Sequence, residues 1–211
     1  MAIPHTWDLD VIHPGEFEAD VVGTSVSGGQ STPGGVYHAT AYAFGGLVRM
    51  FYGAVVIDSA AQHRYWNMLA ARCNGAVREV GIPILTDRIQ PAGISATLDG
   101  AHVAEATEIA IAATAGAALV GGEWFGIDHD VAGLRVYRIA TIVSASDAGG
   151  GAIDYVVTIA PPLRDAAVDE AVLTFIRPVC LMTLAPGETM GWRVGPDWHS
   201  RPSVTFIEAE F

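Results

Sequence analysis

The run Gly126-Ile127-Asp128-His129-Asp130 is the nearest this chain comes to an assembled reactive group. An imidazole between two carboxylates could be one corner of a divalent-metal site, since both groups are ordinary ligands for such ions. Three adjacent polar residues between strands more often form a solvated turn. No second donor pair stands nearby at ligand spacing, and the expected helix carries neither His-x-x-x-His nor Glu-x-x-His. Serine, histidine and aspartate all occur, but no Gly-x-Ser-x-Gly elbow exposes a nucleophile. Ser27-Gly28-Gly29-Gln30 lacks the lysine and the following helix of a phosphate-cradling loop. The scattered carboxylates leave a glycosidase pair conceivable without singling out two of them. Cys73 and Cys180 read best as small buried hydrophobes, because neither a disulfide framework nor zinc spacing surrounds them. No catalytic, cofactor-binding or metal-ligating residue is assigned, and the expectation is a structural protein without a cofactor rather than an enzyme.

Charge narrows the classes further. Acids outnumber bases 23 to 11, every base is arginine, and the net charge is −12. Phosphates need basic partners, so specific nucleic-acid binding is not expected. Charged residues make up 16% of the chain, where about a quarter is usual for a soluble domain. That shortfall suits a surface partly covered by sibling copies or by partners. Met1-Ala2-Ile3-Pro4-His5 has neither the charged nor the apolar region of a signal peptide. Residues 109–120 are apolar but too short to span a bilayer, so no membrane insertion is expected.

The elements that must position these residues read mainly as strands. Residues 59–75 are the one confident helix: Ser59 and Gln62 form a capping box, Arg72 suits the last turn, and Gly75 suits a left-handed terminus. Tyr65, Trp66, Leu69 and Cys73 share one apolar face, and the first three are the expected core anchors. Residues 16–26 form an arm with strand character. Residues 36–44 and 47–58 are expected to pair as an antiparallel hairpin through Gly45-Gly46. Pro83 suits residues 76–85 to a sheet edge or a strand end. Residues 91–176 carry 11 acids and three arginines and read as five short strands, near 92–98, 107–113, 134–144, 152–159 and 171–176. Their spacing and the Gly149-Gly150-Gly151 tip suggest a small barrel. The expected class is mainly β: a β-sandwich with one packed α-helix, from residues 1–90 and 177–211, interrupted by an inserted small β-barrel at 91–176. Two contiguous domains are the alternative.

Five residues are candidate interface positions. Pro161-Pro162-Leu163-Arg164 is either a rigid turn with a local ion pair or a contact in which Arg164 meets acids of a neighbouring copy. Glu16 and Val26 bound the arm, which could lie on a neighbour. Trp192 and Trp198 sit in a glycine- and proline-bearing loop, as lids on the core or as an apolar contact patch.

Several segments together resemble a known class. They are Gly28-Gly29-Gln30-Ser31, the helix with Tyr65-Trp66 and Leu69-Ala70 ending at Gly75, Ile82-Pro83-Ile84, and Pro161-Pro162-Leu163-Arg164. Pro178, Cys180-Leu181-Met182 and Leu184 belong with them, as does the closing Ser203-Val204, Phe206 and Glu208-Ala209. This set resembles the distal tail proteins of siphovirus-type bacteriophages and gene transfer agents. The resemblance implies a β-sandwich with one packed helix and a second β-barrel, no catalytic residue, and a ring of six copies. The ring would join the tail tube protein to the baseplate hub or tip protein in a virion assembled in the host cytoplasm. Rings join unlike surfaces of successive copies, and an acidic bore would repel passing DNA. Other readings stay open at this point: a tube, hub, minor tail or capsid decoration protein, or a carbohydrate-binding or hydrolytic β-barrel acting on a cell envelope.

Overall fold

Helix α1 (Ala60–Cys73) begins and ends at its sequence signals in the computed structural model, which describes residues 5–23, 25–28, 38–41, 46–86, 93–115, 118–192 and 199–209. The Gln62 N–H donates to Ser59 Oγ at 3.3 Å, and the Ser59 N–H donates to Gln62 Oε1 at 3.1 Å. Two orphan donors of the first turn are thereby satisfied. At the other end Asn74 takes the left-handed cap, followed by Gly75 at φ 63. Replacing Ser59 by alanine should cost about 1 kcal/mol. The expected readout is a lower urea midpoint with an unchanged slope.

Trp66, Leu69 and Cys73 are fully buried against a five-stranded antiparallel sheet. In chain order its strands are β1 (Glu16–Val22), β4 (Leu47–Gly53), β5 (Val80–Pro83), β12 (Val179–Leu184) and β13 (Val204–Glu208). Their spatial order is β1-β4-β13-β12-β5. Val48, Met50 and Tyr52 alternate into the core with Val204 and Phe206, as the two-residue strand period requires. Trp7, from the segment before β1, closes this core. Its ring lies 4.8 Å from Tyr52 and edge-on to Trp66 and Phe206. Tyr65 is only half-buried, and its hydroxyl accepts the Asp8 N–H.

The expected hairpin of residues 36–44 with 47–58 is not formed. β4 pairs instead with β1 and β13, while β2 (Ser25–Gly28) pairs with β3 (His38–Ala41). The physical reason is burial. A strand with Val48, Met50 and Tyr52 all inward belongs in mid-sheet, whereas β1, with Glu16, Glu18 and Asp20 exposed, suits an edge. Residues 16–22 are therefore no free arm, since Phe17, Ala19 and Val21 pack on the core. Pro83 ends β5 at the opposite edge, as expected.

A second sheet has the order β11-β6-β7-β10-β9-β8. Its strands are β6 (Ser95–Leu98), β7 (Glu108–Ala115), β8 (Trp124–His129), β9 (Gly133–Gly149), β10 (Ala152–Ala160) and β11 (Val172–Leu173). Gly126 and Thr174 exchange backbone hydrogen bonds of 2.8 and 3.0 Å, which brings the β8 edge round to the end of β11 and nearly closes a barrel. The barrel has its own core, with Leu98, Ile111, Phe125, Tyr137, Ile139 and Val157. The class is thus mainly β, one helix on a sheet plus a barrel-like sheet. Gly149, Gly150 and Gly151 all have positive φ and turn β9 into β10. β8 is absent from the sequence reading, and residues 171–176 contribute a strand only at Val172–Leu173.

Candidate functional site

The densest polar cluster among the described residues lies where sheet meets barrel. Glu208 is the last residue of β13 and shares the inward face of Val204 and Phe206, yet it is only 1% exposed. A buried carboxylate needs partners, and the barrel supplies them. The loop after β10 delivers Arg164, 4% exposed. Its Nε donates to Glu208 Oε1 at 2.8 Å and its Nη2 to Oε2 at 2.7 Å, a two-point fork. The same Nη2 also donates to the Gly46 carbonyl. The Val48 N–H donates to Glu208 Oε2 at 3.0 Å. Strand β9 adds Arg135, 1% exposed, whose Nη1 donates to the carbonyls of Ala209 at 2.8 Å and Leu181 at 3.3 Å. That nitrogen lies 3.8 Å from Glu208 Oε1. One carboxylate from the sheet therefore answers two guanidinium groups from the barrel.

A second layer steadies the first. The Tyr137 hydroxyl accepts the Arg164 N–H at 3.1 Å and donates to His129 Nε2 at 2.8 Å. That direction leaves His129 as the neutral tautomer, with Nδ1–H donating to the Ala166 carbonyl at 3.3 Å. Burial pushes the Tyr137 hydroxyl well above its ordinary range, so it remains a donor. Burial likewise pushes up the Cys180 thiol beside Glu208. Desolvation is the largest single influence on the Asp165 carboxyl and raises it, but the N–H groups of Ala166, Val131 and Ala132, with His129, together hold it below the ordinary value. It thereby fixes the turn between β8 and β9 against the Arg164 loop.

Burial holds the His129 imidazole below its ordinary value. Arg135 adds to this, while the Ala166 carbonyl, Asp165 and Asp128 oppose it. The unfolded chain then binds a proton that the folded chain refuses, so stability falls as pH drops below 6.5. His129→Gln should flatten that slope, read as the change in urea midpoint between about pH 7 and about pH 5. His5 adds to the same slope, because burial and Arg72 hold its imidazole low against the opposing pull of Asp8.

These positions settle several expectations. His129 does not sit in a solvated turn: it is the buried last residue of β8, with its two ring nitrogens engaged by Tyr137 and Ala166. Arg164 is not an exposed contact for a neighbouring copy. It is consumed inside the chain by Glu208, across a separation too long for a local turn pair. Trp192 is a lid on the core: it packs against α1, lies 4.5 Å from the His63 ring, and donates to Asn67 Oδ1 at 2.8 Å. Glu16 is exposed on β1. Val26 lies on β2, whose side chains fall outside the described residues, as does Trp198. Cys73 and Cys180 are both buried free thiols, and burial pushes Cys73 up to about 11. No helix among the described residues is long and apolar enough to cross a membrane.

Glu208, Arg135 and Tyr137 escaped the sequence reading as site residues, and His129 entered it only as a possible metal corner. A signal for Glu208 was present, since in the alternation Val204, Phe206, Glu208 the acid falls on the apolar face. Arg135, set in the apolar run Leu134-Arg135-Val136-Tyr137, carried a similar one. No known protein-family model matches this chain, and no curated protein sequence matches it either.

Proposed function

We propose that this chain is a structural subunit of a phage-type tail, a distal-tail-like protein whose copies form a ring between tube and baseplate. Its work is holding shape and docking, without turnover. One observation carries the reading: segments picked out separately by their resemblance to that class meet in space. Arg164, from the Pro161-Pro162-Leu163-Arg164 segment, forks onto Glu208 of the closing strand. The Cys180-Leu181-Met182 strand pairs with the one containing Ile82-Pro83. The helix bearing Trp66 and Leu69 packs on the same sheet. A ring subunit under axial load benefits from a barrel fixed to its sheet by a buried, directional ion pair, because such a pair specifies one relative geometry. The low share of charged residues and the net −12 fit a subunit shielded by siblings around an acid-lined bore.

Light scattering and negative-stain images of the purified chain, alone and with a tail tube protein, test this. Closed rings of about the mass of six copies are expected. A solitary chain that stays monomeric beside tube and hub proteins would overturn the reading, and so would rings with a basic bore.

A further inference from the structure

Four of the large apolar side chains exposed among the described residues line one wall of the barrel. They are Val103, Val168, Val172 and Ile176, each 62–74% exposed. The wall is made of two antiparallel runs, residues 95–103 and 166–176. Val172 pairs with Thr97, and His102 exchanges backbone hydrogen bonds of 2.9 Å with Ala167. Leu98, Ala167, Leu173 and Phe175 turn into the barrel core, so the residues that alternate with them turn out. Between the two stretches the Gly100 N–H donates to Asp169 Oδ1 at 2.8 Å, which keeps the wall continuous. A lone surface valine is ordinary, whereas a contiguous patch marks a surface that something covers. The rim of this one is acidic. Asp99, Glu105, Asp169 and Glu170 are all exposed, and residues 93–115 and 165–176 contain no arginine or lysine.

The complement of that wall is carried by the same chain. Residues 59–78 are its one acid-free stretch with three arginines. Arg64, Arg72 and Arg78 are exposed, and no ion pair ties them to an acid among the described residues. The Arg78 N–H donates to the Cys73 carbonyl at 3.2 Å. This folds Val77, 76% exposed, and Arg78 back onto the end of α1 beside Arg72. Exposed Ala71 and half-buried Met68 lie between the arginines. The outer face of α1 therefore lacks the mixed charges of a solvated helix.

We infer that this outer face of α1 docks on the barrel wall of a second copy. Charge and polarity together select the occupant. Each surface is apolar at its centre, and one is rimmed by acids while the other is rimmed by arginines. The net charge of −12 makes most other approaches of two copies repulsive. Helix and wall belong to units with separate cores, so the two surfaces meet between copies. The inference rests on the ring reading and supplies its contact, because successive copies in a ring join unlike surfaces.

Sedimentation of the full chain over a wide concentration range, alone and beside tube and hub proteins, tests the inference. The unaltered chain should associate, and less so as salt is raised. Arg72→Glu with Arg78→Glu should weaken association at least about tenfold, and so should Glu105→Arg with Glu170→Arg, since each sets like charges face to face. All four reversals in one chain should restore most of it, because the pairs are exchanged rather than lost. Val172→Lys should weaken it too, whereas Val143→Lys, exposed on β9 away from both surfaces, should leave it unchanged. If Val172→Lys fails to fold by circular dichroism, Val168→Lys takes its place. Rings that form regardless of the reversals would overturn this contact and leave the ring reading standing. A monomer under every condition would overturn both. Failure of the fourfold reversal to restore association would overturn the pairing. So would reversals that abolish binding to the tube protein but not self-association, since the wall would then serve a different subunit.

Discussion

Glu208→Gln is expected to destabilise this protein by about 3–5 kcal/mol, the usual consequence of removing one partner from a buried ion pair. The amide keeps the size and some hydrogen-bonding capacity of the side chain, so the loss isolates the charge. Arg164 and Arg135 would remain buried, 4% and 1% exposed, with no anion to answer them. In a protein of this length each kcal/mol moves the melting temperature by about 2–4 °C, so a fall on the order of 10 °C is expected. Because barrel and sheet have separate cores, weakening the contact between them should also broaden or split a single unfolding transition. Arg164→Met should be similarly harmful alone, since it strands Glu208. The pair Arg164→Met with Glu208→Leu should lose less than the sum of the two, the mark of direct coupling in a double-mutant cycle. A Glu208→Gln protein that melts with the unaltered one would show that the fork contributes nothing to stability.

Trp66→Ala is the second large effect. The indole is fully buried between α1 and the sheet, edge-on to Trp7, and its Nε1 donates to the Met190 carbonyl at 2.9 Å. Removing a buried tryptophan costs about 3–5 kcal/mol through lost transfer energy and the cavity left behind. The stranded Met190 carbonyl adds to this. Trp66→Phe refills most of the space but not the hydrogen bond, so it should recover most of the loss and leave a deficit of about 1 kcal/mol. Equilibrium denaturation of both variants separates packing from hydrogen bonding. Equal losses in the two would mean that the ring's volume contributes little at this position.

The same residues show what was legible beforehand. The helix was, because its signals are local: Ser59 and Gln62 cap it, and Trp66, Leu69 and Cys73 recur at helical spacing within a few turns. The long β9–β10 hairpin was largely legible too, since Gly149-Gly150-Gly151 marks its tip and Ile153, Tyr155, Val157 and Ile159 alternate. β8 was not. Trp124, Phe125, Gly126 and Ile127 are buried whichever way they point, so the strand shows no alternation, and the polar Asp128-His129-Asp130 that follows imitates a turn. The neighbours of β4 were also hidden. A glycine pair suggests a hairpin locally, while the true partners, β1 and β13, are chosen by which strands can bury both sides of Met50 and Tyr52.

The sequence alone determined the β-rich class, the single helix with its ends and buried face, and the acidic, lysine-free charge balance, because each follows from composition or from neighbours a few residues apart. Tertiary structure alone decided that Arg164 serves the interior rather than the surface, that His129 is a neutral hydrogen-bond relay, and that β4 takes β1 and β13 as its neighbours. Those outcomes depend on groups brought together from distant parts of the chain, such as Arg164 with Glu208 and His129 with Tyr137 and Ala166. Whether a charge is buried with a partner or left in water is set by what the fold packs against it, and local spacing carries no record of that.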